Sequence, residues 1–107
     1  MTNPSRRAHA ARLLAAKRWY VYLLWCRNGA IYTGIARDVP ARFAQHAAGT
    51  GARYTRANPP VEILARFRCA NQSEASRWEA AIKRLSATDK RRLVGRTGVA
   101  VRKVLFG

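Results

Sequence analysis

Residues 19–46 read WYVYLLWCRNGAIYTGIARDVPARFAQH, and their reading decides the fold. Trp19 to Cys26 is an unbroken apolar run rich in aromatic and β-branched residues, as a strand buried on both faces requires. Arg27-Asn28-Gly29 supplies a turn, and Ala30 to Ala36 forms the return strand. Asp38 stands where a helix N-cap belongs, with Pro40 in the first turn, where its missing N–H costs nothing. Helical spacing then puts Arg42 and His46 on one face. Val39, Phe43 and Ala47 form the neighbouring apolar stripe, expected to pack on the sheet.

Hairpin register decides whether Tyr22 and Tyr32 share a face. A two-residue Asn28-Gly29 turn pairs Trp25 with Tyr32 and sends the two tyrosines to opposite faces, because side chains alternate. A three-residue loop with Gly29 in the left-handed conformation pairs Cys26 with Ala30 instead. Tyr22 then stands opposite Gly34, and Tyr32 opposite Leu24, with both hydroxyls on one face. The second register is preferred, since it gathers polar groups around the gap left by Gly34. From alternation alone, both tyrosines also read as ordinary amphipathic strand residues.

These residues carry a resemblance. Tyr20-Val21-Tyr22, then Tyr32-Thr33-Gly34, then Arg42 and His46, resemble the ordered motifs of the GIY-YIG nuclease family. The similarity runs from about Trp19 to Val94 and is closest to the small single-domain bacterial branch. That branch is related to the nuclease domain of structure-specific junction endonucleases. The first motif departs from the family name by reading Tyr-Val-Tyr, and the second has Thr33 in place of Ile.

The remaining sequence is consistent with a small mixed α+β domain acting on a polyanion. The chain has 107 residues, 49% of them apolar, and no run of membrane-spanning length. A soluble, cytoplasmic protein without a membrane partner is expected, a monomer by default. Lys and Arg number 21 against five acids, a net charge of +16, and 17 of the 21 are arginine. So positive a surface repels itself and suits nucleic acid, whose condensed counterions are released on binding. Residues 1–18 are basic and contain no acid, which reads as an arm adding electrostatic affinity. They lack the long apolar core of a secretory signal.

After Gly49-Thr50-Gly51 a basic loop extends to Pro60. In it Arg53 and Arg56 could grip phosphates while Tyr54 stacks on a base, with Arg37 contributing from the first hairpin. Val61 to Ala70 is the third strand, with Ile63, Ala65 and Phe67 alternating against Leu64, Arg66 and Arg68. Asn71 or Ser73 opens a second helix, whose apolar stripe is Trp78, Ile82 and Leu85. Ser86 with Asp89 caps a third, stopped by Gly95. The order β-β-α-β-α-α describes a small three-stranded mixed sheet flanked by helices. It places a nuclease-like domain at 19–95 and a tail at 96–107, either disordered or an edge strand.

Cys26 and Cys69 sit in apolar strands without metal or redox spacing and read as small buried hydrophobes. Phosphodiester hydrolysis needs an activated water, a sink for transition-state charge and usually a divalent ion. Mg²⁺ or Mn²⁺ can be held by one carboxylate plus substrate phosphate and water. Of the five acids, Asp38 and Asp89 are caps, Glu62 lies at a strand mouth, and Glu74 occupies a first helical turn. Glu79 remains, bordering the buried stripe of its helix; a plain surface pair with Lys83 is the alternative.

The family resemblance also selects Glu79, as metal ligand. It implies that Tyr22 acts with the attacking water as general base or orienting group. Tyr32 would orient the scissile phosphate, Arg42 would neutralise its oxygens, and His46 would assist proton transfer. A tyrosine of ordinary pKa, about 10, is a poor base, so Arg42 and the metal would have to favour the phenolate. The Asn that many family members place after the catalytic Glu has no counterpart here. The implied activity is metal-dependent endonucleolytic cleavage, of DNA rather than RNA, selected by shape. A non-catalytic nucleic-acid-binding module is the alternative.

Overall fold

The computed structural model describes residues 18–107. Strands β1 (Trp19–Cys26), β2 (Ile31–Ala36) and β3 (Pro60–Cys69) form one antiparallel sheet in the order β2-β1-β3. The central position of β1 explains its unbroken apolar run, since Val21, Leu23 and Leu24 are all completely buried. One face of the sheet carries Val21, Leu23 and Phe67. It is closed by α3 (Gln72–Lys83), α4 (Ala87–Leu93) and α5 (Gly98–Phe106), through Trp78, Ile82, Leu93 and Val101. The other face carries Tyr22 and Leu24 and is covered by α1 (Val39–Ala47) through Val39 and Phe43.

The hairpin adopts the three-residue loop. Cys26 N–H donates to Ala30 O at 2.9 Å, Gly29 N–H donates to Cys26 O at 2.9 Å, and Gly29 has φ of 85°. Tyr22 pairs with Gly34 and Leu24 with Tyr32, so both tyrosines share the α1 face. The spot opposite Tyr22 is not open, however. A Cβ on Gly34 would collide with the Tyr22 hydroxyl and ring, so the glycine makes room for Tyr22 itself.

β3 departs from simple alternation. Leu23 pairs with Ala65 but Leu24 pairs with Ile63, so Leu64 is the extra residue of a bulge. Ile63 consequently packs with Tyr22 and Leu24, while Leu64, Ala65 and Phe67 pack on the opposite face. The expected alignment of Ile63 with Ala65 and Phe67 is thus corrected.

Helix caps follow the sequence. Asp38 Oδ1 accepts from Ala41 N–H at 3.0 Å, Asn71 Oδ1 from Glu74 N–H at 2.9 Å, and Ser86 Oγ from Asp89 N–H at 3.1 Å. Within α1 it is His46, completely buried, that completes the inward stripe with Val39 and Phe43. Ala47 is exposed, a shift of one position from expectation.

Two further corrections concern segments expected to lack helix. The basic connection after Gly51 contains a short helix, α2 (Arg53–Ala57). Residues 98–106, neither disordered nor an edge strand, form α5, with Thr97 Oγ1 accepting from Ala100 N–H at 3.1 Å and Val101 fully buried. The order is therefore β-β-α-α-β-α-α-α. An ion pair between Glu74 and Arg102 ties α3 to α5. The Ala70 N–H foremost, and Arg102 with it, hold the Glu74 carboxyl below its usual range against the opposing effect of burial.

Cys26 and Cys69 are free and buried. No helix among the described residues is long and apolar enough to cross a membrane. The basic arm expected over residues 1–18 lies, Arg18 apart, outside the described residues.

Candidate active site

β1 supplies Tyr22, β2 supplies Tyr32, and α1 supplies Arg42 and His46, and the three-residue loop brings them to one face. Tyr22 OH lies 2.9 Å from His46 Nε2. The Tyr32 ring meets the imidazole edge-on at 5.2 Å and stands 6.4 Å from the Tyr22 ring. Tyr22 is 1% exposed and His46 completely buried, whereas Tyr32 and Arg42 are half-buried. The Tyr32 hydroxyl has no hydrogen-bond partner among the described residues, so it is available to a ligand.

His46 is held from behind by Thr55, a residue to which the sequence reading gave no role. Its Nδ1 lies 2.6 Å from Thr55 Oγ1, and Thr55 Oγ1 can donate its single proton to Ala52 O at 2.9 Å. With its proton there, the hydroxyl accepts from Nδ1–H and the lone pair of Nε2 faces Tyr22; with its proton on Nδ1, both roles reverse. Ala52 N–H also donates to Nδ1, over a longer 3.4 Å. Gly51 lies so close that a Cβ there would collide with the imidazole. Gly51 and Thr55 thus fix the ring's place. The glycine-rich run was the available signal for the first, while no sequence signal marks the second.

Electrostatics separate the two partners of this hydrogen bond. Burial foremost, then the neighbouring Tyr32, push the Tyr22 hydroxyl up to about 12, against the opposing pull of Arg42. Arg42 favours the phenolate, but burial outweighs it. Burial raises Tyr32 as well, again with Arg42 opposing. Burial and the Arg42 charge both lower His46, so its neutral form prevails near pH 7. The result is a protonated phenol hydrogen-bonded to a neutral imidazole.

Among the described residues no three or more His, Cys, Asp or Glu side chains cluster as a metal centre. Of the five acids, Glu79 is the one whose charge acts on both Tyr22 and Tyr32, raising each. It is partly shielded and meets Lys83 at 3.6 Å, the expected surface pair. Glu74 is spent on Arg102 and Ala70, Asp38 on its cap, and Asp89 on Ser86's helix and Arg92. A single carboxylate beside the tyrosine–histidine face fits a hard divalent ion that keeps several of its waters.

The expected nucleic-acid contacts fall at different places. Arg53 and Arg56 are exposed on α2. Tyr54 stacks on Tyr32, with centroids 6.0 Å apart and planes at 12°, and its hydroxyl accepts from Asn28 Nδ2 at 3.0 Å. One of its faces is therefore occupied by protein. Arg37 sits 5.2 Å over the Trp19 ring, apart from the tyrosine–histidine cluster.

Comparison with known proteins shows the family to which the chain belongs. The GIY-YIG catalytic domain matches residues 18–92. A UPF0213 protein of Xanthomonas axonopodis pv. citri is 54% identical over 76 residues, covering 71% of this chain and 74% of that protein. One from Cupriavidus necator is 51% identical over 77 residues, covering 72% and 84%. The solution NMR structure of a UPF0213 protein from Bacillus halodurans is 37% identical. It covers 79% of this chain and 95% of its own, with a TM-score of 0.46. Matched by the family over residues 18–92, and about half identical to the Xanthomonas and Cupriavidus proteins over 76 and 77 residues, the chain belongs to the GIY-YIG catalytic domain family.

Proposed function

We propose that this protein is a divalent-metal-dependent endonuclease that hydrolyses DNA phosphodiesters, selecting its substrate by shape. The observation that carries this is the 2.9 Å contact between the Tyr22 hydroxyl and His46 Nε2, with Tyr32 and Arg42 on the same face. Arg42 and the free Tyr32 hydroxyl hold the phosphate oxygens. Tyr22 orients the attacking water and takes its proton as its own passes to His46 Nε2. The water oxygen bonds to phosphorus while the opposite P–O bond breaks, and the departing oxygen takes a proton from solvent. A phenol with so high a pKa could not serve as a free base, but it can hand a proton on to a neutral imidazole. Glu79 would hold the metal, which supplies charge neutralisation at the phosphate when bound.

Two observations favour a second reading, a non-catalytic nucleic-acid-binding module: Tyr22 is only 1% exposed, and Glu79 already meets Lys83. Cleavage of branched, single-stranded and duplex DNA, with and without Mg²⁺, separates the two. Tyr22→Phe keeps the ring and its packing, and is expected to abolish cleavage while retaining binding. Glu79→Ala should also abolish metal-dependent cleavage, with binding unchanged or tighter, whereas Glu74→Ala should retain most activity. Wild-type rates in Tyr22→Phe and Glu79→Ala would leave the binding module as the function.

A further inference from the structure

The outer edge of β3 and the start of α5 enclose a groove of about 580 Å³ that none of the residues assigned above occupies. Arg66, Arg68, Arg96 and Arg102 line it, with no Asp or Glu among the lining residues. Arg102 is committed to Glu74 and lies over Trp78. The other three form no ion pair and no side-chain hydrogen bond among the described residues; Arg66 only overlies the Tyr20 ring, at 5.8 Å. Three exposed guanidiniums around one concavity repel each other in the free protein, and a polyanion relieves that repulsion.

The sheet register connects this groove to the candidate active site. Arg66 pairs directly with Tyr22, and Arg68 with Tyr20, so both arginines rise from the same face of the sheet as Tyr22. Same-face neighbours along a strand are about 6.6 Å apart, a spacing that lets adjacent guanidiniums meet successive phosphates of one strand. Arg96, at the start of the α5 turn, continues the row beyond the sheet edge.

We propose that the β3–α5 groove is a second nucleic-acid subsite. In it Arg66, Arg68 and Arg96 hold backbone phosphates flanking the one bound at Tyr32 and Arg42. The groove sets how far the footprint extends from the cleavage point and does no chemistry itself. This rests on the tyrosine face being a nucleic-acid site, so the test separates the two.

Fluorescence anisotropy of labelled duplex and single-stranded oligonucleotides of increasing length, in EDTA across a salt series, reads the footprint without cleavage. Two full-length variants each lose three cations: Arg66→Gln/Arg68→Gln/Arg96→Gln in the groove, and Arg77→Gln/Arg84→Gln/Lys103→Gln outside its lining. The groove variant should flatten the slope of log affinity against log salt by roughly two to three, the scale for that many lost phosphate contacts. It should also lose the affinity that wild type gains with oligonucleotide length. The control should change the slope by less than one. Single Arg66→Gln and Arg96→Gln variants, with melting curves to confirm folding, should each give part of the effect. Equal effects of the two triple variants would overturn the subsite and leave only diffuse charge. Groove-dependent binding together with normal cleavage by Tyr22→Phe would instead leave the subsite standing and remove the proposed chemistry. Absence of any binding by wild type removes both.

Discussion

Whether Tyr22 gives or receives a proton turns on which nitrogen of His46 carries one. The proposed route requires that Thr55 donate to Ala52 O, so that its oxygen accepts from Nδ1 and the bare Nε2 faces the phenol. Nitrogen-15 NMR should therefore show the Nδ1–H tautomer; an Nε2–H signal would mean that Tyr22 is the acceptor and the proton route fails. His46→Ala should lower the cleavage rate by roughly a hundredfold to ten-thousandfold. Thr55→Val should lose a smaller part of that, with the pH profile displaced, and Thr55→Ser should restore it. Because burial lowers the His46 pKa, the unfolded chain protonates this group at a higher pH than the native protein does. Cleavage should thus hold steady through pH 7 and fall only below the ordinary histidine range of about 6.5. Stability should begin to fall through that same range, as the unfolded chain gains a proton that buried His46 refuses. A rate that drops already at pH 7.5 would contradict the assignment.

At the scale of elements, α1 matters because one helix delivers both a surface arginine and a buried histidine. Arg42 sits beside the inward stripe of Val39, Phe43 and His46, with its Nη1 donating to Gln45 Oε1 at 2.8 Å. Arg42→Ala should cost roughly a hundredfold or more in rate, the scale for one preorganised donor to developing charge. Arg42→Lys should recover only part, since an ammonium cannot bridge two phosphate oxygens with a planar fork. Melting temperatures should scarcely change in either. Much of this geometry is legible in residues 19–46: the Asn-Gly turn signal, the Asp38 cap and the Gly34 position all act locally, so their spacing suffices. What escapes is non-local. The Leu64 bulge arises from pairing β3 to a strand over forty residues earlier, and the Thr55 contact from α2 folding under α1. Helix α5 is hidden because Gly98 and its valines are weak helix formers, and its stability comes from burying Val101. Val101→Ala should accordingly destabilise the protein by about 1–3 kcal/mol in chemical denaturation. A change near zero would mean that the C-terminal helix is dispensable to the core.

For the whole molecule, charge is expected to outweigh any individual contact in setting affinity for a polyanion. A net +16 on 107 residues should make nucleic-acid binding steeply dependent on salt and only weakly dependent on base sequence. The charge was legible from composition, but its distribution was not. The arginines of the groove belong to a strand edge and a turn far apart in sequence, and only the fold brings them together. Residues 1–17 add Arg6, Arg7, Arg12 and Lys17, and end just before β1. If those four cations act as an electrostatic arm, deleting them should flatten the salt slope by up to about four while leaving the melting temperature and the cleavage position unchanged. The arm would then speed or tighten capture, with Arg42 and the β3–α5 groove still fixing where the strand lies. An unchanged slope assigns the whole salt dependence to the folded domain. A changed cleavage position would show instead that the N-terminal segment takes part in choosing the substrate.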